Sequence, residues 1–227
     1  MASVRPKYTE KNSPNLEKNS SGNSVTQSPS GFIRNFIQED FDGGFNIDWV
    51  RDLEDKPLSF NINQTMMRID LPEAIVPGQV FEFKIKWWYN INNRLNYGGR
   101  SGYETFENDV NKVYTIAQFF PRLCVYNDVE GWQNYQFWGN GEFALEFGDY
   151  DVKITVPDDH IMEATGELQN PKDVLSKSEL QRYKKAINSF DNPVVIVSEE
   201  EVKEKEKKKS NGKSTWHFVA IWRANCN

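Results

Sequence analysis

Apolar and polar residues alternate along several stretches of this chain, as they do in strands that bury one face. The longest stretch is 80–90, where every second residue on one face is large and apolar: Phe81, Phe83, Ile85, Trp87 and Tyr89. Shorter alternating or apolar runs occupy 45–50, 58–62, 67–71, 142–145, 151–156, 194–197 and 215–220. The pattern therefore predicts a mainly β fold.

One segment has the pattern of a helix. Ser176 and Glu179 have the Ser-x-x-Glu spacing of a capping box, and apolar residues then recur every three or four positions. We therefore expect one helix over about 177–188, and its narrow apolar face places it on the surface of the sheets. The Glu- and Lys-rich run 199–213 that follows predicts a charged loop.

The first 30 residues differ from the rest of the chain. Residues 1–30 are rich in Ser, Asn, Lys and Pro and contain few large apolar side chains. Burial of so little apolar surface does not offset the entropy lost on ordering, so the segment predicts a loop or disorder. The 227 residues suit one large sandwich, and we assign 31–220 to a single β-sandwich domain.

The composition excludes several classes of protein. A net charge of −6 and a pI of about 5.1 argue against a nucleic-acid partner, because phosphate binding requires a basic face. The sequence has no run of 18 apolar residues, so we predict no membrane span. Cys124 and Cys226 lie far apart without a Cys-x-x-Cys spacing, and we expect Cys124 to be a buried free thiol. The chain begins without the apolar segment of a signal peptide.

The most distinctive motifs lie between residues 114 and 170. They are 118–122 (QFFPR), 126–128 (YND), 130–132 (EGW), 141–143 (GEF), 147–152 (FGDYDV) and 164–170 (ATGELQN). At this spacing the chain resembles the N-terminal domain of zinc aminopeptidases of the aminopeptidase N type, in their bacterial branch, over roughly residues 30–218. Residues 221–227 depart from the family and form a divergent tail.

The resemblance implies both a fold and a role. The fold is a saddle-like antiparallel β-sandwich with one surface helix, in which 161–168 adds a strand. The role is that of a non-catalytic domain, which docks on the catalytic domain of the same polypeptide and walls its cleft for peptide substrates. Zinc is expected in that catalytic domain, and the full-length protein is expected to be exported.

The resemblance also implies one substrate-binding residue, Gln118. In the family, a Glu or Gln from a loop of this domain helps to hold the free α-amino group of the peptide. Phe120 stands where many relatives carry that group, and Gln118 is the best-matched polar residue, although it also suits a strand residue bonded to backbone. An amide oxygen accepts a hydrogen bond from an ammonium group.

We expect no catalytic residue and no metal ligand in this chain. A zinc aminopeptidase needs two histidines one helical turn apart with a glutamate beside the first. The sequence has only His160 and His217, which are isolated and which we interpret as solvated side chains. Asp128 and Glu130 are a carboxylate pair that we interpret as a surface turn. On its own the chain should not hydrolyse peptides.

Two other functions remain open. A carbohydrate-binding sandwich is one alternative, because sugars stack on exposed indoles such as those of Trp87, Trp88, Trp132 and Trp138. A free-standing interaction protein is the other. A sugar platform exposes two or three coplanar rings, whereas a docking domain gathers its aromatic side chains in one interface patch, here expected around 119–138.

Overall fold

The computed structural model describes residues 2–3, 29, 41–105, 112–136, 145–207 and 211–221. Strand residues outnumber helical residues in these segments, and the ladders between the described strands are antiparallel. The predicted mainly β class is therefore confirmed. The chain clusters into two compact units, Met1–Glu146 and Phe147–Asn227, whose boundary lies inside the predicted 31–220 domain.

Short antiparallel strands build the first unit. Its described elements are β1 (Ala2–Ser3), β2 (Asn46–Asp52), β3 (Phe60–Asn63), β4 (Met66–Ile69), β5 (Phe83–Trp88), α1 (Arg94–Tyr97), β6 (Gly102–Thr105), β7 (Lys112–Thr115), β8 (Arg122–Leu123), β9 (Tyr126–Asn127) and β10 (Gly131–Trp132). One sheet has the order β3-β4-β1-β8, and β2/β5, β6/β7 and β9/β10 form separate pairs.

Two predictions for this unit need correction. Ala2–Ser3 is not a loop, because it pairs with both β4 and β8. The strand predicted over 80–90 is shorter, because β2 pairs with it only from Phe83 to Trp88. The hairpin predicted from 58–62 and 67–71 is confirmed as β3 and β4.

The core of the first unit lies where β2, β4 and the residues before β3 meet. Val50, Leu58 and Met67 are buried there, and six partly buried apolar residues pack against them: Phe45, Ile47, Phe60, Ile69, Phe81 and Ile85. Full burial of one such side chain contributes about 1.5–3 kcal/mol. The core of the first unit thus takes its apolar residues from β2, β4 and β5 and from the segments beside them.

The second unit is a three-stranded sheet with helices. Its described elements are β11 (Tyr150–Pro157), β12 (Glu167–Leu168), α2 (Pro171–Val174), α3 (Lys177–Ala186), α4 (Glu199–Glu206) and β13 (Lys213–Ala220). The strand order is β11-β13-β12. Trp216 and Phe218 are the buried residues of β13, and their rings stack with centroids 6.4 Å apart. The strands predicted over 151–156 and 215–220 are thus confirmed.

The helix predicted over 177–188 is confirmed as α3, including its capping box. The Ser176 hydroxyl accepts from the Glu179 backbone N–H, and a Glu179 carboxylate oxygen accepts from the Ser176 backbone N–H at 2.7 Å. Glu179 is itself buried. The Ser-x-x-Glu spacing in the sequence therefore identifies the two capping hydrogen bonds at the start of α3.

The charged loop predicted over 199–213 is wrong for its first part, where α4 forms. Ser198 and Glu201 make a second capping box, and Lys203 pairs with Glu199 one turn away. These local contacts stabilise a helix in a sequence with little apolar content. The fold thus has a second helix of at least two turns beside the single one predicted.

Two further strand predictions in this unit fail in part or in full. Residues 194–197 form no strand, with bends only at 196–197, and in 161–168 only Glu167–Leu168 is a strand. Predictions for 142–144, Trp138, Cys226, the tail after 221 and most of 1–30 lie outside the described residues. None of the helices that the structure describes is long and apolar enough to cross a membrane.

Candidate functional site

The loop that carries Gln118 is anchored on both sides. Strands β6 and β7 pair with Gly102 opposite Thr115, which brings Ser101 next to Ala117. The Ser101 hydroxyl accepts from the Ala117 N–H and donates to the Ala117 carbonyl, both at 2.8 Å. One residue beyond Gln118, the Phe119 carbonyl accepts from the Trp87 indole N–H at 3.1 Å. Gln118 therefore lies between two fixed points.

Gly102, next to the first of these anchors, allows a close approach between its own backbone and Asn92. Its φ is +152°, and a Cβ at this position would lie 2.6 Å from the Asn92 carbonyl oxygen. The same carbonyl accepts a hydrogen bond from the Tyr103 N–H at 2.8 Å. This hydrogen bond holds the backbone at Gly102 and Tyr103 close to Asn92. Only glycine permits this approach without displacement of the backbone.

Gln118 is exposed and has a left-handed backbone, with φ of +50°. For a residue other than glycine, asparagine or aspartate, this region is sparsely populated and costs about 1–2 kcal/mol. Such conformations persist where the surrounding contacts hold them, and they concentrate at functional positions. The predicted substrate-binding residue thus occupies a strained, exposed point on a loop held by Ser101 and Trp87. Its assignment to a substrate stays a prediction.

Aromatic and cationic groups follow Gln118 directly. The rings of Phe119 and Phe120 meet edge to face with centroids 5.2 Å apart. The Arg122 guanidinium lies 5.4 Å from the Phe120 ring centroid and donates to the Glu146 carbonyl at 3.1 Å. Phe120 is therefore packed between a ring and a guanidinium group.

Many large apolar side chains near this loop are exposed. We call them the apolar set, and it comprises Val113, Tyr114, Ile116, Leu123, Tyr126, Val129, Trp132 and Tyr135. Their exposed fractions range from 40% for Ile116 to 87% for Val129. Tyr126 and Trp132 face each other across β9 and β10 with centroids 5.3 Å apart. Exposed apolar side chains thus occur on each of the strands β7, β8, β9 and β10 or directly beside them.

The tryptophans do not share one environment. Trp88 and Trp132 are about half exposed, whereas Trp87 is partly buried and hydrogen-bonded to the Phe119 carbonyl. Trp132 packs at an interplanar angle of 69° to Tyr126, which is an edge contact and not a coplanar platform. Exposed indoles are present, but the Trp132 pair lacks the flat arrangement that sugar stacking prefers.

The remaining candidate residues are separate from this loop. Asp128 and Glu130 are exposed in the β9–β10 turn, where the Asn127 side chain accepts from the backbone of Val129 and Glu130. This confirms the interpretation of a surface turn. Cys124 is buried, as predicted, and burial raises the pKa of its thiol.

The two histidines are each paired with an aspartate, which corrects the expectation of solvated rings. His160 Nδ1 lies 2.7 Å from Asp159, and His217 Nε2 lies 2.9 Å from Asp151 across β11 and β13. The His217 side chain is only 26% exposed. Within the described segments, no group of three or more His, Cys, Asp or Glu side chains is arranged to hold a metal ion.

Sequence reasoning missed both anchors of the Gln118 loop. Ser101 lies in a Gly- and Asn-rich segment with no recognisable motif, and its contact with Ala117 depends on the β6–β7 register. The alternation in 80–90 predicts which residues share a face with Trp87, but it does not show where the Trp87 indole N–H donates. The left-handed backbone of Gln118 has no sequence signal, since glutamine is not a residue that favours it.

Comparisons with known proteins do not assign this chain to a family. No family model, no curated protein and no solved structure matches it.

Proposed function

We propose that this chain is the non-catalytic N-terminal β domain of a zinc-dependent aminopeptidase of the aminopeptidase N type. In this role it docks on the catalytic domain of the same polypeptide and walls one side of the cleft for peptide substrates. The zinc ion belongs to that catalytic domain, and the full-length enzyme is exported. Gln118 contributes its side-chain oxygen to the ammonium group of the substrate.

The observation that carries the proposal is that Gln118 lies in the same segment of the chain, 112–136, as the exposed residues of the apolar set. A docking surface needs exposed apolar side chains to bury, and Tyr126 and Trp132 present large rings at 60% and 46% exposure. A substrate contact needs an exposed polar group on a backbone that is already held in place. Ordering a mobile loop on binding costs entropy, and this cost lowers the affinity. The segment 112–136 contains both features.

The sequence is also consistent with a division of labour between two domains. With only two histidines, the chain has no His-Glu-x-x-His motif, and in the proposed arrangement the catalytic domain supplies the hydrolytic zinc site. The motifs that resemble the aminopeptidase family include 118–122 and 126–132, and these contain Gln118, Tyr126 and Trp132. The motifs that carry the resemblance thus include two residues of the apolar set, Tyr126 and Trp132.

The experiment has a genetic step and a binding step. The complete native transcript should continue in frame into a His-Glu-x-x-His motif. The catalytic portion that it encodes, expressed separately, should associate with this chain in sedimentation velocity with a Kd of about 1 µM or tighter. A transcript without the motif, or two portions that sediment independently, would contradict the proposal.

A matched pair of variants locates the docking surface. Tyr126→Ser with Trp132→Ser should weaken association at least about tenfold, because large aromatic side chains dominate interface energies. Ile75→Ser with Val76→Ser is the control, since both residues are also exposed, at 49% and 60%, but lie outside the apolar set. Equal weakening by the two pairs would show that the apolar set is not the docking surface.

A carbohydrate-binding function is the second candidate, and the exposure of Trp88 and Trp132 favours it. Oligosaccharide titration followed by tryptophan fluorescence tests it directly. Binding that is lost in both Trp88→Ala and Trp132→Ala would favour this candidate over the docking domain, whereas an unchanged spectrum would remove it.

A further inference from the structure

Strand β11 is an edge of the sheet in the second unit. The strand order is β11-β13-β12, and among the described residues no strand pairs with β11 on the side away from β13. The strand has 8 residues, Tyr150–Pro157, which pair with Lys213–Ala220 without a register shift. A long, regular edge strand is a template for pairing with a strand of another chain.

The register shows which backbone groups of β11 face outward. Directly after the strand, the Asp158 N–H donates to the Gly212 carbonyl at 3.3 Å, so these two residues occupy a hydrogen-bonded position of the β11–β13 ladder. Hydrogen-bonded and non-hydrogen-bonded positions alternate along an antiparallel ladder. The backbone groups of Asp151, Lys153 and Thr155 therefore point away from β13, and within the described part of the chain none of them has a backbone hydrogen bond.

The backbone of β13 supports this alternation independently. His217 lies opposite Lys153. The His217 carbonyl accepts from the Gln169 N–H at 2.8 Å, and the His217 N–H donates to the Asn170 side-chain oxygen at 3.0 Å. Both backbone groups of His217 thus point toward the segment that follows β12 and away from β11. Lys153 and His217 therefore form a non-hydrogen-bonded pair, and the backbone groups of Lys153 face outward.

The open edge carries two opposite charges at a spacing of two residues. Asp151 and Lys153 are exposed on one face of β11, and Val152 between them is partly buried on the other face. The Asp151 side chain is 67% exposed, and its Oδ1 lies 2.9 Å from His217 Nε2. A second β11 in the antiparallel orientation presents the same two charges in reverse order. The edge is therefore complementary to itself.

We propose that β11 pairs with β11 of a second copy of this chain, in an antiparallel register centred on Val152. Asp151 then lies opposite Lys153 of the second copy, and the two-fold axis repeats this pair. Both pairs fall at residues whose backbone groups face outward, so each pair exchanges two backbone hydrogen bonds. On the other face, Val152 lies opposite Val152 of the second copy, and Ile154 lies opposite Tyr150. The two sheets become one continuous sheet.

The charges select this register over its neighbours. A ladder centred on Lys153 places two ammonium groups opposite each other, and a ladder centred on Asp151 places two carboxylates opposite each other. Like charges directly opposite each other destabilise a strand pair, whereas opposite charges stabilise it. A lysine on an edge strand ordinarily disfavours pairing of two edges, but here Asp151 of the second copy neutralises it. This self-complementarity favours a second copy over an unrelated extended peptide as the occupant.

The first test is sedimentation velocity of the 227-residue chain over a range of concentrations. Pairing of two short strands buries a small interface, so we expect a monomer–dimer equilibrium with a Kd on the order of 100 µM. A chain that stays monomeric up to about 1 mM, or one that forms larger oligomers without a dimer, would overturn the proposal.

Charge variants locate the interface. Asp151→Lys and Lys153→Asp each place like charges opposite one another and should each weaken dimerisation at least about tenfold. An equimolar mixture of the two variants has opposite charges in both pairs, so it should form a heterodimer with a Kd near that of the wild type. Lys213→Asp, an equal change of charge at an exposed position of β13, should leave the Kd within about twofold. Dimerisation that is unchanged in both β11 variants, or a mixture that associates no more tightly than each variant alone, would contradict pairing through β11.

Cysteine cross-linking tests the register. In a Cys124→Ala, Cys226→Ser background, Val152→Cys should form a disulfide between the two copies. A residue on the two-fold axis at a non-hydrogen-bonded position lies about 4.5 Å from its copy, Cα to Cα, which suits a disulfide. Ile154→Cys is the matched control, because it lies on the same face but opposite Tyr150, and it should cross-link at least about tenfold more slowly. Equal rates at the two positions would contradict a ladder centred on Val152.

Discussion

The contact between α3 and α4 depends on a buried carboxylate, and its removal should destabilise the second unit measurably. Glu179 has a side chain only 2% exposed, and it accepts from Lys205 Nζ at 2.8 Å and from the Ser176 N–H at 2.7 Å. Glu179→Gln keeps the side-chain volume but removes the charge. The perturbation therefore isolates the charge-assisted hydrogen bonds from packing.

The magnitude follows from the environment of each partner. A hydrogen bond to a charged group contributes about 1.5–3 kcal/mol. Lys205 is 34% exposed, so water solvates its ammonium group when the carboxylate is lost. The loss of folding free energy is therefore smaller than for a fully buried ion pair, in which the remaining charge would have no partner. We expect Glu179→Gln to lower the free energy of unfolding by about 1.5–2.5 kcal/mol.

The assay is urea unfolding followed by circular dichroism, with Lys203→Gln as the matched control. Lys203 pairs with Glu199 on the same helix, but both side chains are more than 60% exposed. The control should stay within about 0.5 kcal/mol of the wild type, because exposed ion pairs contribute little. Equal effects of the two substitutions would refute the reasoning from burial.

The pH dependence gives a second readout. Burial alone would raise the pKa of Glu179, but the hydrogen bonds from Lys205 and Ser176 outweigh it and hold the pKa below its ordinary value of 4.5. The folded chain then binds fewer protons at this site than the unfolded chain. The stabilisation is present above pH 4.5 and is lost as the pH falls through the folded-state pKa. The difference between wild type and Glu179→Gln should shrink below pH 4.5, and a difference that stays constant there would contradict the account.

Three further predictions concern the first unit. Gln118→Gly should change the free energy of unfolding by less than about 0.5 kcal/mol, because relief of the left-handed backbone offsets the entropy of glycine, whereas Gln118→Val should cost about 1–2 kcal/mol in urea unfolding. Gly102→Ala should cost at least about 2 kcal/mol because of the 2.6 Å approach to Asn92, whereas Gly78→Ala, with φ of +82° but open space around it, should cost about 1 kcal/mol. In a Cys226→Ser background, the buried Cys124 thiol should react with a disulfide reagent at least about tenfold more slowly when folded than in urea, and equal rates would contradict its burial.

Local sequence signals predicted much of the fold. The alternation in 151–156 and 215–220 identified β11 and β13, and the Ser176–Glu179 spacing identified the start of α3. The same spacing occurs at Ser198 and Glu201 and marks α4, but the charged composition of that segment led to the prediction of a loop. Capping and ion pairs there outweigh the lack of an apolar stripe.

Features that depend on contacts distant in sequence were not predicted. The length of β5 is set by its partner β2, and the strand at Ala2–Ser3 exists through its pairing with β4 and β8. The neighbours of Gln118, Ala117 and Phe119, are hydrogen-bonded to Ser101 and Trp87, which lie 17 and 31 positions before Gln118. Periodicity reports which face of a strand is apolar, but it contains no information about these pairings.

We propose that Gln118 contacts the ammonium group of a peptide substrate in a zinc aminopeptidase. The most direct measurement is the KM of the polypeptide encoded by the complete native transcript for an aminoacyl p-nitroanilide, compared between Gln118→Ala and Asn134→Ala, an exposed control. We expect a KM about 10- to 100-fold higher for Gln118→Ala, because a hydrogen bond to a charged group is lost, and an unchanged KM for the control. A polypeptide without aminopeptidase activity, or equal KM values for the two variants, would contradict the claim.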